Sequence, residues 1–199
     1  MHLRYVTLAI LACTIVAFAQ TPNTVDSPFL VRYAANLNVG ESYINMINTN
    51  ADNDEYTINR LTNICVNVYA FDPNANLLAC CTCLLTPNSV QHMAVVGDIL
   101  ANVSGVLPTS VVVKLLATLP NITKTTCGGA ATANSQTLTN GLLAYGTTLH
   151  QGPTGVFGTE TAFGPATLTD ADFRLMTNSC AAISKTSNGI CGTCKLGAQ

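Results

Sequence analysis

Nine cysteines dominate the chemistry open to this 199-residue chain. Cys80, Cys81 and Cys83 stand almost side by side, Cys191 and Cys194 form a Cys-x-x-Cys, and Cys13, Cys65, Cys127 and Cys180 complete the set. Thiols at such spacings have three uses. With His92 and His150 they could ligate zinc. As Cys-x-x-Cys they could exchange electrons with another dithiol. In an oxidising compartment they become cross-links. The N-terminus speaks to the compartment. Arg4 supplies a positive charge, residues 6–18 are apolar, and Ala17-Phe18-Ala19 is a small-x-small site. This pattern reads as an export signal over residues 1–19, cleaved after Ala19. Acylation at Cys13 fits less well, because Leu11 suits such a site poorly and apolar sequence runs on past it. Cleavage removes Cys13 and leaves an even set, Cys65, Cys80, Cys81, Cys83, Cys127, Cys180, Cys191 and Cys194, which reads as disulfides rather than as a metal or redox centre.

Geometry restricts the pairing. Bonding Cys80 to Cys81 would strain the peptide between them. Cys81 and Cys83 share one strand face with parallel Cβ vectors about 6.5 Å apart. Each of the three therefore reaches for a distant partner among Cys65, Cys127, Cys180, Cys191 and Cys194, and a last pair forms from what remains. Cys191–Cys194 is one candidate for that last pair.

Other polar constellations are weaker. Asn50, Asp52 and Asp54 set oxygen ligands at alternate positions, as a calcium loop does, but Glu55 stands where glycine is needed and no glutamate closes the loop. Asp72 and Glu160 would serve as paired carboxylates for glycoside hydrolysis only if the fold brought them together. His150 ends an apolar run and reads as a strand-end residue rather than a base. No Gly-x-Ser-x-Gly, no Gly-x-x-x-x-Gly-Lys and no glycine triplet opening a helix occurs, so no catalytic residue and no cofactor is assigned. Only 9% of residues are charged and the net charge is −2, which makes nucleic acid and anionic membrane surfaces poor partners. The same low charge removes repulsion between copies and eases self-association. Asn102-Val103-Ser104 and Asn121-Ile122-Thr123 are glycosylation sequons.

The elements that must position these groups are mostly strands. Residues 64–71 and 77–85 flank Asp72-Pro73-Asn74-Ala75-Asn76, which is turn chemistry, and read as a hairpin. With Phe71 facing Leu77, Cys65 would fall opposite Cys83. Both arms are apolar on both faces, which predicts a central pair of strands. Further strands are expected over residues 29–37, 43–48, 89–96, 109–119, 142–150 and 156–163. In residues 109–119, Val111, Val113 and Leu115 share one face, and Val112, Lys114 and Leu116 the other. Residues 97–104 read as a turn or one helical turn, and residues 120–140 as a long loop tied down by Cys127. One helix is predicted. Thr169 caps it, Asp170 and Asp172 fill its first turn, and Phe173, Met176, Cys180 and Ile183 form its apolar stripe, with Asn188-Gly189 as the stop. The longest later apolar run, residues 111–119, is too short to cross a membrane and contains Lys114. The fold class is therefore mainly β: a single β-sandwich-like domain over residues 29–199, preceded by a flexible leader at 20–28, with one C-terminal helix and a disulfide-held cap.

The combination Cys65-Val-Asn-Val-Tyr-Ala-Phe71, Cys80-Cys-Thr-Cys83, residues 108–118 and Gly189-Ile-Cys-Gly-Thr-Cys194 resembles a group of uncharacterised exported bacterial proteins. That resemblance implies export and cysteine pairing and no particular activity. The expected role is that of an exported structural or interaction protein, a subunit of a surface or extracellular assembly. Its alternative is a β-sandwich module binding glycan or another surface ligand through exposed aromatics such as Tyr33, Tyr56 or Tyr145. The chain has no Trp, the best stacking platform, and that weakens the alternative.

Overall fold

The computed structural model describes residues 27–49, 63–121, 125–183, 191 and 194. Residues 20–26 of the leader, the loop carrying Asn50, Asp52, Asp54 and Tyr56, and the expected helix stop at Asn188-Gly189 lie outside the described residues. Two antiparallel sheets form a sandwich. One has the order β4-β3-β6-β1-β9, from Leu77–Leu85, Ile64–Phe71, Val111–Thr118, Phe29–Ala34 and Gly164–Pro165. The other has the order β5-β2-β7-β8, from Val90–Ala94, Tyr43–Asn48, Leu142–Gly152 and Gly155–Ala162.

The period-two alternation explains the layering. Val66, Val68 and Ala70 of β3 and Val111, Val113, Leu115 and Ala117 of β6 point into the sandwich, against Ile44, Met46, Met93 and Ala144 of the second sheet. The opposite face of the first sheet, with Phe29, Tyr69, Phe71, Cys80 and Leu116, packs under α1, Asp170–Ile183. That second layer is why β3 is buried at every position. Thr169 caps α1: its Oγ1 accepts the Asp172 N–H at 3.1 Å, and its hydroxyl donates to Asp172 Oδ2 at 2.7 Å. Met176 and Cys180 are the buried members of the stripe.

The hairpin departs from expectation in register. Phe71 does face Leu77, but Ala70 faces Ala79, so Leu78 is an extra residue bulged from β4. Beyond the bulge every pair moves by one. Cys83 lies opposite Val66 and Cys65 opposite Leu84. The turn itself is as expected, with Asp72 Oδ1 accepting the N–H groups of Asn74 and Asn76, each at 2.8 Å. The hairpin is also not a central pair, since β4 is an edge strand. It reads as central because β4 is mostly buried, against the sandwich interior on one face and α1 on the other.

Candidate functional site

Four disulfides are present: Cys65–Cys127, Cys80–Cys180, Cys81–Cys194 and Cys83–Cys191. As adjacency requires, Cys80, Cys81 and Cys83 each reach a distant partner. Alternation then sends them to different layers. Cys80 faces α1, while Cys81 and Cys83 face the sandwich interior, where Cys194 and Cys191 meet them. The last pair is Cys65–Cys127, not Cys191–Cys194. With all eight sulfurs bonded, none is a thiolate for zinc or for dithiol exchange. Among the described residues, no three His, Cys, Asp or Glu side chains converge as a metal site.

The two carboxylates considered as a pair sit on different sheets. Asp72 serves its own turn, where hydrogen bonds, chiefly from the Asn76 side chain, hold it below the usual carboxylate range. Glu160 lies on β8. Tyr33 is exposed on the first sheet, and Tyr145 is half-buried on the outer face of the second.

The uncommitted polar groups collect around β7 and β8. On the outer face, cross-strand pairing aligns His92 of β5, Asn45 of β2 and Tyr145 of β7. His92 Nδ1 and Asn45 Oδ1 are 2.8 Å apart, and Asn45 Nδ2 donates to Glu160 Oε1 at 2.7 Å. Tyr43 stacks on His92 with ring centroids 4.9 Å apart. Among the described residues no helix covers this face, whereas α1 covers the outer face of the other sheet.

On the inner face, register sets Gly146, Thr148 and His150 of β7 beside Thr161, Thr159 and Phe157 of β8. Arg32 reaches across from β1 of the opposite sheet. Its Nη1 donates to Thr161 O at 2.8 Å and Thr161 Oγ1 at 2.5 Å, and its Nη2 to Thr148 Oγ1 at 2.7 Å. The guanidinium carbon lies 5.8 Å from the centre of the Phe163 ring. Arg32 is only 8% exposed, and its Nε has no partner. Gly146 makes the room: a Cβ there would stand 2.5 Å from Arg32 Nε. Burial lowers the guanidinium's pKa and the charge of Glu160 raises it, yet an arginine stays protonated in this setting. Beyond Thr148, His150 Nε2 lies 2.9 Å from Thr159 Oγ1, and the His150 ring stacks on Phe157 at 5.1 Å.

The edge of β8 is the third feature. All eight residues of β8 are exposed. Gly152 pairs with Gly155 across a two-residue turn, and the Phe163 N–H donates to Ala144 O at 2.8 Å. Both facts put the ladder bonds to β7 at the odd-numbered residues of β8. The N–H and C=O groups of Val156, Gly158, Glu160 and Ala162 therefore point away from the sheet.

Arg32, Thr148, Thr159 and Thr161 were not legible as a group from sequence. A lone arginine in an apolar strand and alternate threonines in a polar hairpin carry no local signal. Only the hairpin register puts them on one face. Comparison with protein families, with curated proteins and with solved structures finds no match.

Proposed function

We propose that this chain is an exported interaction protein that joins copies of itself into an assembly outside the cytoplasm, by strand addition along β8. The observation that carries the reading is the bare β8 edge, eight exposed residues long. Sheet edges are normally blunted by shortness, lysine, proline or a covering segment. β9 has two residues, β5 is short and gives its Ala94 N–H to Asp98 Oδ2, and β4 is bridged to Cys191 and Cys194. Residues 156–162 contain neither Lys nor Pro. Two copies meeting antiparallel about a two-fold at Thr159 set Glu160 of one against Gly158 of the other, so no like charges oppose. Four disulfides and the signal-like residues 1–19 fit an oxidising compartment. Among the described residues, no helix is long and apolar enough to cross a membrane.

Sedimentation of residues 20–199, secreted and oxidised, tests this. The expected result is a concentration-dependent dimer or larger species, and Val156→Lys, which places a charge on the pairing edge, abolishes it without changing the melting temperature. A strictly monomeric protein at millimolar concentration would sink the proposal. A second reading, a module binding a neutral glycan, is favoured by the uncovered face where Asn45, His92 and Glu160 lie beside Tyr145; a glycan array decides it.

A further inference from the structure

We propose that the inner face of the β7–β8 hairpin binds an acidic sugar, its carboxylate over Arg32 and its ring against Phe157. The proposal does not rest on strand addition, which uses the edge of β8 rather than its face.

Charge is the first argument. Arg32 is a buried cation bonded only to neutral oxygens of Thr148 and Thr161. A buried charge without a bonded counter-ion is costly. The Glu160 carboxylate accepts from Asn45 on the opposite face of β8, so it does not serve as a bonded partner here. The inner face thus carries a positive charge that Glu160, through the strand, offsets only in part. Valence is the second. The hydroxyls of Thr148 and Thr161 accept from the guanidinium, so their own protons are free to point elsewhere, as polarised donors. Thr148 is half-buried and Thr161 exposed, so an anion can reach both without touching the buried guanidinium.

Shape is the third. Thr159 and His150 continue the polar row, and Phe157, 55% exposed and stacked on His150, closes it with a flat apolar wall. From Thr161 to Phe157 is four strand residues, about 13 Å. That length suits an oligosaccharide lying along the strands rather than a single small anion. A single cation beside hydroxyls matches one carboxylate per repeat, not a densely charged polymer. An acidic peptide would seek the strand edge for its backbone, and the groups offered here lie on the face.

Titration calorimetry of the oxidised chain with oligogalacturonate and oligoglucuronate, and with their methyl esters, tests the inference. At least one of the two acids should bind, and its ester, equal in shape but neutral, should bind at least tenfold more weakly. Thr159→Val and Phe157→Ala, both at exposed positions of the row, should each weaken binding about tenfold while leaving the melting temperature within a few degrees. These two variants stand in for Arg32, whose removal from the interior could unfold the chain. Val156→Lys should leave sugar binding intact even where it abolishes self-association, which separates the two proposals. No binding of either acid, equal binding of acid and ester, or equally tight binding of polyglutamate would overturn the assignment.

Discussion

Removing the Cys80–Cys180 bond tests how four cross-links share the restraint of one chain. Changing both cysteines to alanine frees α1 from β4. Taken alone the bond spans 100 residues, and closing a loop of about 100 residues restrains the unfolded chain by about 4.7 kcal/mol. It is not alone. Cys83 is three residues from Cys80, and its partner Cys191 is eleven from Cys180. With that bond formed, closing Cys80–Cys180 completes a ring of only about fourteen residues, and Cys81–Cys194 offers one of about fifteen; such a ring restrains the chain by about 3 kcal/mol. Removing both C-terminal bonds first changes the arithmetic. The shortest route then runs fifteen residues from Cys80 to Cys65 and fifty-three from Cys127 to Cys180. A ring of about 68 residues corresponds to about 4.4 kcal/mol. The same two substitutions should therefore cost about 1.4 kcal/mol more in the second background. Packing lost around the sulfurs is common to both backgrounds and cancels in the difference. Guanidinium unfolding of the four oxidised proteins, followed by circular dichroism, measures it. Equal costs in the two backgrounds, or a smaller cost in the second, would refute the argument that the bonds act through the unfolded chain.

Two further outcomes follow from buried polar groups. The Tyr69 hydroxyl donates to Ala130 O at 2.7 Å, and burial raises its pKa far above the ordinary phenol value. The folded chain thus keeps a proton that the unfolded chain loses near pH 10, so the stability is intact below that pH and falls as pH rises, by up to about 1.4 kcal/mol per unit. Tyr69→Phe should cost about 1–2 kcal/mol at neutral pH and remove that slope; a slope unchanged in the variant between pH 10 and 11.5 assigns it elsewhere. Asn67 donates to Leu116 O and to Thr118 Oγ1 and accepts from Thr82, all within the buried sheet. Asn67→Leu should cost about 2–4 kcal/mol by stranding these groups, and adding Thr82→Val should recover part of it; urea midpoints show whether it does.

Much of the scaffold was legible in the residues. Alternation in Val111–Thr118 and the 3–4 spacing of Phe173, Met176 and Cys180 state directly which faces are buried, because burial on a strand or a helix face is periodic. The Cys80–Cys83 cluster forces long-range pairing by local geometry alone. The register of the hairpin was not legible. One bulged residue, Leu78, shifts Cys65 from Cys83 to Leu84, and nothing in LLACCTCLL marks it, since every residue there is equally suited to a strand. The place of β4 was hidden for a different reason. Buried on one face by the sandwich core and on the other by α1, β4 has the composition of a central strand. The inner polar face escaped because it exists only through pairing between residues 116 and 129 apart in sequence, Arg32 with Thr148 and with Thr161.

The distribution of cross-links bears on function as well as on stability. Three of the four bonds leave β4, and two of them tie Cys191 and Cys194 to the edge of the first sheet. None touches β7 or β8. A weakly charged chain gains little from electrostatic repulsion, so an open edge is a hazard it must meet structurally. Two bonds anchor Cys191 and Cys194 to β4, and β8 stays exposed at all eight residues. The strand addition proposed above would complete the edge of β8, which is exposed at all eight residues. Under that proposal the cross-links would act away from the pairing edge. Arg32 of β1 is held against β7 and β8 by its hydrogen bonds to Thr148 and Thr161 rather than by a cross-link, so the inner face of the hairpin is positioned noncovalently.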